Sequence, residues 1–156
     1  MKKPSAFFFF LLVISLPSWA QSGEKAGLVN VPSAHSVAKT VEVLQSAINE
    51  MGLTLVEEID HAQAAAKNGL KLRPTYLLLF GNPQVGTQLM QADQRVGLDL
   101  PLRLLVWQNE QGKVFVSYHN PQALSGTYKL EDENDVLQKM RGVLESLTQK
   151  VEQVKK

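Results

Sequence analysis

This sequence predicts an α+β fold: a single domain in the order β-α-β-α-β-α-β-β-α, with a mixed sheet, a C-terminal antiparallel hairpin and helices packed on it. Three observations predict it. Apolar residues recur at spacings of three and four in two long stretches, which marks helices with one buried face. A short apolar run, Tyr76 to Phe80, sits between turn signals, as a buried strand does. Residues 102–108 and 113–118 flank the four-residue loop 109–112, which closes on Gly112 and reads as a hairpin.

The elements follow in order. Residues 27–32 form a short edge strand that Pro32 ends, because proline cannot donate to a ladder. Ser36 is the N-cap of a helix whose Val37, Val41, Leu44, Ile48 and Met51 share one face, and Gly52 stands at its left-handed C-cap. Residues 53–59 alternate, with Leu53, Leu55 and Ile59 inward, and are expected to pair near the first strand. Asp60 and Gln63 occupy capping-box positions at the start of a short helix that Asn68-Gly69 ends. Residues 72–80 finish in four consecutive apolar side chains, the pattern of a central strand buried on both faces.

Gly81 then allows a sharp turn, Asn82 caps the next helix, and Pro83 fills its first position, where the missing N–H costs nothing. That helix runs to about Ala92, and residues 97–101 return the chain to the sheet and the hairpin. From Glu131 to the end, residues 131–156 read as one long amphipathic helix, with Val136, Met140, Val143, Leu147, Val151 and Val154 in a stripe. Acids at its start and lysines at its end complement the helix dipole. The stripe suits packing on the domain's own sheet, and its last turns would suit a second subunit.

The chain's first 20 residues bear on compartment. Lys2 and Lys3 precede an apolar stretch from Ala6 to Leu16, and Ser18 and Ala20 place small residues before a cut ahead of Gln21. This is the pattern of a secretory signal peptide cleaved after Ala20, with a bacterial periplasm as destination. Residues 21–26 are a polar lead-in, and residues 27–156 are the domain. Without the two signal-peptide lysines, 14 of the 16 basic residues face 15 acids. No basic patch precedes the closing Lys155-Lys156, so neither nucleic acid nor, after cleavage, a membrane is an expected partner. There is no cysteine, so stability must come from a packed core.

The turn at Asn82-Pro83 is the first place to look for function. Backbone N–H groups at a helix start can hold an anion or polar ligand, and Thr87 would add a hydroxyl. A cap also explains Asn82 without any ligand. His61, beside Asp60, is the one candidate acid or base, since a carboxylate can orient an imidazole; as a first-turn residue it can equally serve packing. Asp99 and Arg103 flank Pro101 and could pair with each other or meet a polar ligand, and Tyr118 ends the last strand near the same region. His35 and His119 have no neighbours at metal-ligand spacing, so no metal is expected. The chain contains no nucleophile motif, no phosphate loop and no dinucleotide pattern, so no cofactor is expected and the reading leans away from an enzyme.

Several spaced motifs occur together: Asp60-His61-Ala62; Gly69 to Thr75; Phe80-Gly81-Asn82-Pro83 with Gly86-Thr87 and Leu89-Met90; Gly97 to Arg103; and Gly112 with Val116 and Tyr118. In this the chain resembles the domain-of-unknown-function 302 family over about residues 37–128. The resemblance implies a small α+β domain, alone or attached to other modules, that tends to form homodimers and has no generally established activity. Where the family pattern carries a His near an Arg after the last strand, this chain has Gly126-Thr127-Tyr128-Lys129, which argues against two histidines working together.

The expected function is therefore that of a periplasmic small-ligand or protein-interaction domain, dimeric, with a polar pocket made by His61, Asn82, Thr87, Asp99, Arg103 and Tyr118. One alternative is a small enzyme using His61 as acid or base beside the helix start at Asn82. The other is a purely structural dimer module.

Overall fold

The computed structural model describes residues 27–152. The expected signal peptide, the lead-in 21–26 and the last four residues lie outside that range. Five strands, β1 (Leu28–Pro32), β2 (Thr54–Asp60), β3 (Thr75–Gly81), β4 (Leu102–Gln108) and β5 (Val114–His119), form one sheet in the order β1-β5-β4-β3-β2. Four α-helices, α1 (Val37–Glu50), α2 (His61–Lys67), α3 (Pro83–Ala92) and α4 (Asn134–Gln149), complete the anticipated α+β chain order. Short 3-10 turns at Gln94–Leu98, Pro121–Gly126 and Glu131–Glu133 fill the connections.

Every strand pairing is antiparallel, where a mixed sheet was expected. The reason lies in how far α1 travels. It carries the chain from β1 to β2 in the same direction, as a crossover must, but across the whole width of the sheet. β1 and β2 are therefore opposite edges rather than near neighbours, and the three strands between them leave no parallel pair. α2 and α3 do not cross the sheet; they sit at its ends and reverse the chain like extended turns.

The strand at the centre is β4, and β3 lies one place from the edge. Leu78 and Phe80 are fully buried, whereas Leu77 and Leu79, pointing the other way, are half-buried. The apolar run of β3 does serve both faces, but helices cover only one. On that face Leu78, Phe80, Leu104, Val106, Val116 and Tyr118 pack against Val41, Leu44 and Ile48 of α1 and Leu144 and Leu147 of α4. A second cluster joins Leu89 of α3, Val96, Tyr128 and Leu130 to Val136, Leu137 and Met140 of α4. α4 thus belongs to both.

The helix expected over residues 131–156 is shorter at both ends. It begins with the 3-10 turn Glu131–Glu133 and stops at Gln149, after which Val151 accepts a hydrogen bond from the Ala34 N–H at 2.8 Å and Glu152 bridges to Ser33. Backbone pairing with the end of β1 is what draws the chain out of the helix. Its apolar stripe lies on the domain's own sheet, with Leu144, Leu147 and Val151 fully buried. Among the described residues no helix is long and apolar enough to cross a membrane.

Candidate functional site

Asn82 begins α3 as its sequence suggests. Its Oδ1 accepts the Gln84 N–H at 2.9 Å, its carbonyl accepts the Gly86 N–H at 3.1 Å, and Pro83 follows at the first helical position. Such a cap contributes about 1 kcal/mol to the fold. The cap uses the side-chain oxygen, so what lies next to Asn82 matters more than Asn82 itself.

Beside it opens a hollow of about 400 Å³, within the range of small-molecule sites. Gly81, Asn82, Pro83, Val85, Gly86, Thr87 and Met90 form one wall, Leu53, Thr54 and Val56 of the β2 end a second, and Leu100, Pro101 and Leu102 a third. Lys139, Met140 and Val143 of α4 close it. The two core clusters meet here without fusing: Leu102 packs against both, Val143 against the first, and Met140 belongs to the second. The hollow is the seam between them. Val56 reaches it through a β-bulge, since Leu55 pairs with Phe80 and Glu57 with Leu79 while Val56 has no partner. A bulge re-aims a side chain in this way.

Of the six residues expected to share a pocket, Asn82 and Thr87 line this one. The other four lie elsewhere. β2 and β3 run antiparallel with Asp60 opposite Tyr76 and Thr54 opposite Gly81, so His61 and Asn82 lie beyond opposite ends of a β3 stretch, Tyr76 to Gly81, that is itself about 17 Å long. Asp60 spends its Oδ1 on the Gln63 N–H at 2.8 Å, and that bond holds its carboxyl below the usual range. The pairing of His61 with the α3 end is therefore not formed, and the acid-base scheme that needed both loses its geometry.

Asp99 accepts from Arg103 Nη2 at 3.0 Å and from the Tyr128 hydroxyl at 2.6 Å, which raises the phenol's pKa above its ordinary value. This pair ties the loop ahead of β4 to the segment after β5. Tyr118 points into the main core beneath α4 and is buried, and burial raises its pKa. Alternation explains both positions, because Arg103 lies on the uncovered face of the sheet and Tyr118 on the covered one.

Lys139, Met140, Val143 and Val56 are pocket residues that sequence reasoning did not select. Val56 carried a usable signal: the alternation of residues 53–59 slips phase there, as it does at a bulge. The α4 residues carried none, since only the three-dimensional approach of α4 to α3 recruits them.

A partly buried ion pair stands at the end of α3, the helix that supplies one wall of the pocket. Asp93, at the end of α3, accepts from Arg95 Nη2 at 2.7 Å, from Arg95 Nε at 3.0 Å and from the backbone N–H of Lys129 at 3.2 Å. The Arg95 hydrogen bonds, foremost, hold its carboxyl far below the ordinary carboxylate range. Because folding lowers this pKa, the stabilisation is complete above about pH 4 and is lost as pH falls below that. Asp93→Asn should destabilise the protein at pH 7, and the gap to wild type should shrink steadily toward strongly acidic solution, as measured by urea denaturation across pH. An unchanging gap would show that the charge of Asp93 is not the stabilising element.

Fold and site together define a small antiparallel-sheet α+β domain with a ligand-sized apolar hollow, and among the described residues no cluster of three or more His, Asp or Glu that could hold a metal. The chain belongs to the family described as Domain of unknown function DUF302, whose model matches residues 29–147. It is 43% identical over 111 residues to a protein named Fluoride-specific ion channel FluC 1 from Brucella suis biovar 1, covering 71% of this chain and 44% of that one. Fluoride-specific ion channel FluC 2 from Brucella melitensis biotype 1 is equally similar, with 41% of its length covered. The chain thus spans less than half the length of these curated relatives. The crystal structure of an uncharacterized conserved DUF302 protein from Bacillus stearothermophilus superimposes with a TM-score of 0.72 at 19% identity, covering 80% of this chain and 97% of that one. That likeness shows the fold.

Proposed function

We propose that this chain is an exported, periplasmic binding domain that works as a homodimer and holds a small, largely apolar ligand in the hollow beside Asn82. The observation that carries the reading is the hollow itself, about 400 Å³ with walls supplied mostly by apolar side chains and its polar groups confined to Thr54, Asn82, Thr87 and Lys139. Apolar surface left unfilled between two packed clusters is costly unless something covers it. Export rests on the basic and apolar pattern of the first 20 residues. No acid-base pair faces the hollow, so the role proposed is retention of a ligand rather than its conversion.

Dimerisation has its own support. The uncovered face of the sheet presents Leu77, Leu79, Leu105, Trp107 and Phe115, all half-buried, with the Trp107 and Phe115 rings stacked at 5.3 Å. An apolar face of this kind suits the same face of a second copy around a twofold axis. The relatives named as fluoride channels add a further element: a segment like this one makes up under half of each, as expected of a module that can be joined to a transport protein. Fluoride is not the ligand proposed, since a small, strongly hydrated anion has no use for an apolar hollow.

Gly86 supplies the test. A Cβ placed there would meet Leu100 Cδ1 at 3.6 Å, an ordinary contact, so a larger side chain fills the hollow without breaking α3. Nile red should bind the wild type with a blue-shifted emission, and Gly86→Leu should lose most of that signal while keeping its circular dichroism spectrum. Dye binding that is the same in both proteins would sink the reading.

A further inference from the structure

We infer that the hollow takes a single-chain amphiphile with an anionic head, a carboxylate of medium chain length, with its head set against Lys139; the inference rests on the hollow being a binding site. Lys139 is the one charged residue in the lining, and no carboxylate accompanies it. Among the described residues it has no ion-pair partner, although Arg141 on the same helix is paired with Glu145 at 2.7 Å. A lone cation at the rim of an apolar cavity complements an anion attached to an apolar body. The β2 wall agrees: Val56, set in its bulge, lines the hollow and is 59% exposed, an apolar side chain left uncovered. An alkyl chain would cover it.

The size of the cavity excludes a two-chain lipid and suits one acyl chain. Within that limit each added methylene should tighten binding by about fourfold, since it removes a fixed apolar area from water. The head contributes less. An exposed ion pair with Lys139 should favour a carboxylate over its neutral amide by about threefold to fivefold, a preference that fades as salt is added.

Isothermal titration of the full chain with octanoate and octanamide, both below their aggregation limits, separates the two levels of the argument. The expected result is tighter binding of octanoate by wild type, equal binding of the two compounds by Lys139→Gln, and loss of both in Gly86→Leu. Equal affinities in wild type would overturn the anionic head and leave the hollow as a binding site. A carboxylate preference that survives in Lys139→Gln would overturn the role given to Lys139. If neither compound binds wild type, or both still bind Gly86→Leu, the hollow is not the site and the inference fails with it.

Discussion

Phe80→Ala should lower stability by about 3–5 kcal/mol, the largest effect expected of any single truncation in this domain. Phe80 has no solvent exposure and is among the largest of the fully buried side chains, on β3 beneath the α1 and α4 layer. Removing its ring forfeits the transfer free energy of the side chain and leaves a cavity that the antiparallel ladders on both sides of β3 cannot collapse. A domain of this size has only about 5–15 kcal/mol in total, so the variant should melt at least roughly 10 °C lower by circular dichroism. A loss below about 1 kcal/mol would contradict the packing described for this face. Phe80 does not line the hollow, so octanoate should still bind whatever fraction remains folded.

Leu105→Glu should dissociate the proposed homodimer while leaving each subunit folded. Leu105 lies on the central strand, half-buried on the uncovered face, directly opposite Leu77 and Ser117. A carboxylate there remains hydrated in a monomer but must be stripped of water in a face-to-face dimer. That cost corresponds to weakening the association by about a hundredfold or more. Sedimentation equilibrium of both proteins over a wide concentration range reads it. A wild type that is monomeric at every concentration would remove the dimer from the proposal, and an unaffected dimer in the variant would move the interface elsewhere.

Much of the fold was legible from local chemistry. Ser36, Asp60 and Asn82 each cap the helix that follows them, and Gly52, Gly69 and Gly112 take the positive φ values that turn residues supply. The hairpin of β4 and β5 and the chain order were visible for the same reason. Sheet order was not. Nothing local in α1 says that it crosses the full width of the sheet, and that single excursion decides both the edges and the absence of a parallel pair. The four apolar residues ending β3 read as doubly buried because a sequence records which residues are apolar and not which face a helix will cover.

The site was half legible for a related reason. Asn82 and Thr87 are five residues apart at the start of one helix, so local spacing sufficed to join them. His61 was linked to them only by belonging to the same family pattern, and the antiparallel register of β2 and β3 carries it to the far end. Lys139, Met140 and Val143 are about fifty residues away in sequence and reach the hollow only because α4 is shared by both core clusters.

The closing bridge between Ser33 and Glu152 has a consequence for how the domain can be wired into a larger assembly. Gly27 and Ser33 bracket β1, and Glu152 lies beside Ser33, so the chain enters and leaves the described domain along one edge of the sheet. The hollow opens near β2, the opposite edge. Whatever precedes Gly27 or follows Glu152 can therefore serve as a tether on one flank while the mouth on the other flank still faces solution, which is the layout of a socket mounted by its back.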